Sequence, residues 1–161
     1  MTKAQIQTLV LAVAALTFAP QAAFAYEYKW IYVGDSKELL GMTGEDEGDT
    51  DFRASCQPNK HAAIGIGAAE DVGTGKGEAV SVTLKAGTRT LRIDGKSHNS
   101  PNFEMTGGVE LQTEVDSKHE VFELLTGPGT IKVAGTTRPA SWPDKGRAAA
   151  TKKFIKACFG G

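Results

Sequence analysis

Val109-Glu110-Leu111-Gln112-Thr113-Glu114-Val115 places apolar or β-branched side chains on one face of an extended chain and polar ones on the other. Successive strand side chains point to opposite faces, so this period of two predicts a half-buried strand with Glu110, Gln112 and Glu114 toward water. The pattern recurs upstream. Ala79 to Leu84 puts Val80, Val82 and Leu84 on one face and Ser81 and Thr83 on the other. Thr88 to Ile93 repeats it with Leu91 and Ile93, and Asp94-Gly95 is a dipeptide suited to a hairpin turn or longer loop. Phe52, Ala54 and Cys56 share a face, so Cys56 is expected to point inward from a strand. Gln57 to Lys60 then turn the chain into a small-residue strand, His61 to Ile66. Tyr28 to Val33 alternates aromatic with other side chains, predicting a strand with both faces at least partly covered and ended by Gly34-Asp35. Short strands are expected over Phe103 to Thr106 and Thr130 to Val133.

Two segments break this rhythm. Asp116-Ser117 can cap a short helix containing Val121, Phe122, Leu124 and Leu125, which Gly127-Pro128-Gly129 ends, although its length leaves helix or strand open. Lys145 to Cys158 is the best helix candidate, with Thr151, Ile155 and Cys158 at i, i+4, i+7 and Phe154 beside them. Lys152, Lys153 and Lys156 fall near its negative dipole end, before the stop at Gly160-Gly161. The expected fold is mainly β, a small antiparallel sandwich or barrel with a C-terminal helix packed on it and one disulfide. The 19 glycines of the 161-residue chain suit many turns between short strands.

The first residues read differently. Lys3 supplies charge, Leu9 to Phe18 is uncharged with only Thr17 polar, and Ala23-Phe24-Ala25 is a small-residue cleavage site, the order of a secretory signal peptide. Residues 1–25 are therefore expected to be removed, leaving a single β-rich domain over 26–161 that begins at Tyr26, in the periplasm or secreted. The apolar run is well short of the ~20 residues that span a bilayer, so no stable membrane insertion is expected after cleavage. Export also favours pairing of the two cysteines, Cys56 and Cys158; free thiols or a redox pair compete, without a C-x-x-C spacing to support them.

A leading Trp strand, the segment Asp51-Phe52-Arg53-Ala54-Ser55-Cys56 after an acidic turn, and the closing Phe154-Ile155-Lys156-Ala157-Cys158 resemble a group of small exported bacterial β proteins, mostly uncharacterised. The resemblance implies an envelope location and the disulfide, and carries over no catalytic residue.

Other constellations fail their chemistry. Glu45, Asp46, Glu47, Asp49 and Asp51 offer oxygen ligands, but the EF-hand order is not met and position 56 is Cys, so a solvated loop with at most weak calcium binding is expected. Gly65-Ile66-Gly67 and Gly73-Thr74-Gly75-Lys76-Gly77 meet neither the Walker nor the dinucleotide pattern, because Glu70 stands where glycine is needed and Gly77 follows Lys76. The stretch from Glu70 to Glu78 is instead read as a mobile tip available to a partner. His61, His98 and His119 are scattered, against zinc, and Asp94, Ser97 and His98 lack a nucleophile-elbow motif. No cofactor is expected.

The net charge of −1 excludes a basic excess for nucleic acid. It hides a polarity: eight acids against two bases from Tyr26 to Asp51, and seven bases against one acid from Lys132 to Gly161. If the chain ends pack together, these charges complement each other. If not, they could orient an encounter with a charged envelope component. Three functions fit: a non-enzymatic periplasmic binding or accessory protein whose partner is an envelope protein or cell-wall component, an inhibitor of a hydrolase such as lysozyme acting through the Gly73 to Gly77 loop, or an enzyme whose site no motif reveals.

Overall fold

Pairing of the alternating segments produces a nine-stranded antiparallel sheet among the described residues. The computed structural model describes residues 27–43, 50–67, 72–101, 104, 107–134 and 140–160. The strands are β1 (Tyr28–Val33), β2 (Glu38–Thr43), β3 (Thr50–Gln57), β4 (His61–Ile66), β5 (Lys76–Ala86), β6 (Arg89–Asn99), β7 (Val109–Val115), β8 (Ile131–Ala134) and β9 (Ala140–Trp142). Their order is β1-β2-β3-β4-β7-β6-β5-β8-β9. The helices are α1 (Glu120–Thr126) and α2 (Arg147–Phe159). Residues 1–26, which hold the expected signal segment, lie outside the described residues, as do Glu45, Asp46, Glu47 and Asp49 of the acidic loop and most of the strand expected at 103–106.

The sheet curls into a nearly closed barrel because its two end strands share one aromatic cluster. Trp30 of β1 lies edge-on to Trp142 of β9 at 5.9 Å, and Phe52 of β3 contacts both rings. Trp30 Nε1 donates to the Pro143 carbonyl at 2.9 Å, and Lys145 pairs with Glu27 on the surface, so the seam is tied at two further points. The Glu27–Lys145 pair lowers the carboxyl and raises the ammonium pKa, yet both groups are exposed and screened by water, so the pair adds little to closure. The apolar ring overlap and the burial of both indoles dominate this closure.

The interior is filled by inward residues, among them Leu39, Phe52, Ile64, Ile66, Leu84, Ile93 and Leu111. Helix α2 packs against β1, β2, β4 and α1. Its buried stripe is Arg147, Ala150, Thr151 and Phe154, so the stripe runs through Phe154, with Ile155 only partly buried. Cys158 reaches β3 and forms the disulfide with Cys56, the two Cα atoms 5.4 Å apart and 102 residues apart in sequence.

Several local expectations change. Asp94-Gly95 is not a turn: Asp94 pairs with Ser81 and Gly95 with Val80 inside the β5–β6 ladder, and the chain reverses at Gly87-Thr88. Glycine stands at 95 because a Cβ there would meet the Gln112 carbonyl at 2.5 Å and the Leu111 side chain at 2.8 Å. Strand β1 is covered on one face only, since Trp30 is buried while Lys29 and Ile31 are exposed. Helix α1 is capped by His119, whose Nδ1 accepts from the Val121 N–H at 3.2 Å, while Asp116 accepts from Lys118 N–H in the preceding turn. Glu110 does not face water. It is 5% exposed, lies over Gly65 on the outer side of the sheet, and accepts from Arg53 at 3.0 Å and Gln112 at 2.8 Å.

A bridge closing a loop of about 100 residues constrains the unfolded chain by about 4–5 kcal/mol in the chain-entropy account. Cys56→Ala/Cys158→Ala is expected to lose most of that in urea unfolding, and a loss under about 1 kcal/mol would show that the helix is held without the bridge.

Candidate functional site

The segment before β5 is built to hold a tight loop. Val72 is buried and anchors its start, while Gly73 and Gly75 have φ of 87° and 76°, backbone that residues with a Cβ adopt only with strain. At Gly75 there is also no room for a side chain, because a Cβ would collide with the Asn99 carboxamide. These turns aim successive N–H groups inward. The Glu78 carboxylate accepts from the Thr74 N–H and, at 3.0 Å, from the Lys76 N–H. The Gly75 N–H donates to Ser97 Oγ of β6 at 2.9 Å. A register shift between Lys76 and Ala79 lets Glu78 turn back on its own loop.

Hydrogen bonds to an ionised carboxylate favour that form, and the loop N–H groups hold Glu78 well below the usual range, at about 2. Gly73 to Glu78 is thus hydrogen-bonded at two points, to Glu78 and to Ser97, while residues 70 and 71 of the expected mobile tip lie outside the described residues. Thr74 and Lys76 remain exposed on it. The loop presents the Lys76 ammonium, a group able to bind a carboxylate or phosphate by charge-assisted hydrogen bonds.

The other proposed groups are separated. Ser97 is fully buried on the inner side of β6 and occupied by Gly75, whereas Asp94 points outward and accepts from Arg92 at 2.8 Å. His98 follows Ser97 and therefore faces the opposite side, which rules out a joint Asp94-Ser97-His98 arrangement. His119 serves as the α1 cap, and His61 opens β4, one strand removed from β6 and near the opposite end of the intervening β7 from His98. Among the described residues no group of three or more His, Cys, Asp or Glu could hold a metal, and no helix is long and apolar enough to cross a membrane.

A concavity lies at the other end of the β5–β6 hairpin, roughly 33 Å from Lys76 along the 11-residue strand. It is a groove of about 390 Å³ lined by Ala86 to Arg89, Glu123, Leu124 and Gly127 to Gly129, with an exposed Arg89–Glu123 pair at 3.0 Å. Sequence reasoning missed Glu78 and Ser97 as loop anchors. A carboxylate directly after a glycine-rich turn was the available signal for Glu78; Ser97 lies 22 residues from Gly75 and carried none. Comparisons with protein-family models, curated proteins and solved structures give no match.

The pinning of the loop has a measurable pH signature. A carboxyl whose pKa is depressed on folding stabilises above its unfolded value and loses that contribution as pH falls through its folded value. Loop order is therefore expected to be complete above the ordinary glutamate range near 4.5 and to fail only toward about pH 2. NMR titration of the Glu78 carboxyl and exchange of the Thr74 and Lys76 amides read this; Glu78→Gln should speed both amides, and a midpoint near 4 would refute the pinning.

Proposed function

We propose that the chain is an exported, non-enzymatic binding or accessory protein that engages an envelope protein or cell-wall component through the Gly73-Thr74-Gly75-Lys76-Gly77 loop. The observation that carries this reading is the pinned loop. A segment held in one backbone shape by Glu78 and Ser97 gives up little conformational freedom on docking, which is the main economy available to a small contact surface. Two further facts support it. Side chains that could have served chemistry have structural duties: Ser97 holds the loop, His119 caps α1, and Arg147 donates to backbone carbonyls. The Cys56–Cys158 disulfide suits life outside the cytoplasm.

A hydrolase inhibitor is the second reading, favoured by the same preformed loop, since inhibitor complexes typically form with little backbone movement. Lys76 would place its ammonium between the paired carboxylates of a glycosidase cleft. Capture of partners from envelope extract by oxidised protein, with Lys76→Glu as the comparison, tests the first reading; a partner lost at least about tenfold in the variant is expected. A partner captured equally well by both would move the contact off the loop. Lysozyme activity left intact at high protein excess would dispose of the second reading.

A further inference from the structure

Helix α2 turns a fixed face to the barrel, with Arg147, Ala150, Thr151 and Phe154 buried and Cys158 bonded to Cys56. At 3.6 residues per turn, Lys152, Lys153 and Lys156 fall within an arc of about 100° on the opposite side. All three are exposed, and the helix contains no acidic residue to neutralise them. Nor can the face rotate away, because Arg147 holds the first turn and the disulfide holds the last.

The disulfide also gathers cations at the margin of this face. The Cys56 N–H donates to the Lys37 carbonyl at 3.3 Å, and Cys158 Sγ lies 3.6 Å from the His61 carbonyl oxygen. The turns carrying Lys37 and Lys60, both exposed, therefore flank the C-terminal end of the helix.

We propose that the outer face of α2, with Lys37 at its edge, is a docking surface for an anionic phospholipid bilayer. Ammonium groups are compact point charges without the fork that selects one carboxylate or phosphate geometry, so a convex array of them suits a field of headgroups better than a single ligand. Juxtaposed lysines are each attracted to an anionic leaflet, and the attraction fades within a Debye length. Ile31, the exposed large hydrophobic among the described residues, stands on β1 and not on this helix. Contact is therefore peripheral and electrostatic, with no inserted side chain.

The test is co-sedimentation of the oxidised protein with vesicles containing phosphatidylglycerol, against vesicles of phosphatidylcholine alone, at low and physiological salt. Binding only to the anionic vesicles, weakened by salt and reduced at least about tenfold in Lys152→Glu/Lys153→Glu/Lys156→Glu, is expected. The matched reversal Lys85→Glu/Lys96→Glu/Lys132→Glu, on exposed positions of β5, β6 and β8, should bind as the parent does, and circular dichroism confirms that both variants fold. Equal binding to neutral vesicles, equal loss in both variants, or binding to a soluble polyanion such as heparin without binding to vesicles would each overturn the proposal.

Discussion

The guanidinium of Arg147 positions the aromatic seam through which this barrel closes. It is fully buried and donates to five backbone carbonyls: Leu125 at 3.0 Å, Gly127 and Gly129 at 2.8 Å, Trp142 at 3.2 Å and Pro143 at 3.3 Å. Those carbonyls belong to the end of α1, the turn after it and the end of β9, three pieces of chain that do not pair with one another in the sheet. Burial pulls the guanidinium below its usual pKa, and the Asp144 carboxylate opposes that shift. Desolvating such an ion costs several kcal/mol, which five charge-assisted bonds of about 1.5–3 kcal/mol each can offset. Because two of the acceptors flank the Trp142–Pro143 peptide, the same side chain sets where Trp142 and the Pro143 carbonyl stand. Trp30 then has both a ring to pack on and an acceptor for its indole N–H.

The helix is fastened twice. Arg147 fixes the first turn of α2 to the seam, and Cys158 fixes its last turn to β3. Between them Phe154 packs with Phe122 of α1 and with Phe159, forming an aromatic group separate from the Trp30–Phe52–Trp142 cluster. Both aromatic groups belong to one continuous apolar core. The Tyr28 hydroxyl, the Trp142 indole N–H and Thr151 Oγ1 are buried in this region without partners among the described residues, and burial pushes the Tyr28 phenol up.

Strands with one wet face were legible because their sequence alternates, as in β7 and the second half of β5. Strand β2 was not, since Leu39, Leu40, Gly41 and Met42 are all buried and a run covered on both faces has no period of two to detect. Asp94-Gly95 misled because its residue types serve turns equally well, and only the approach of Leu111 and Gln112 from β7 makes a glycine necessary within β6. Glu110 occupies an outward position by parity, but Arg53 from a strand two places away covers it. Arg147 could have been suspected from position alone: with Thr151, Phe154 and Cys158 it falls on the inner helical stripe, where a cation needs partners. The loop showed as a glycine cluster, yet its rigidity depends on Ser97 from the neighbouring strand, a contact that sequence proximity does not reveal.

The division of polar groups follows from these constraints. Inside the barrel and along its seam, Arg147 spends its hydrogen bonds on backbone carbonyls and Ser97 accepts from a backbone amide. Outside, lysines at 76, 152, 153 and 156 project from backbone that has already been fixed by those interior bonds. A cation on a fixed backbone keeps the entropy of its side chain while losing none of its position, so several of them can address one partner without first ordering the chain that carries them. The interior polar network therefore does more than satisfy buried groups. By setting the loop through Ser97 and the helix through Arg147, it determines where the surface charge of the molecule stands.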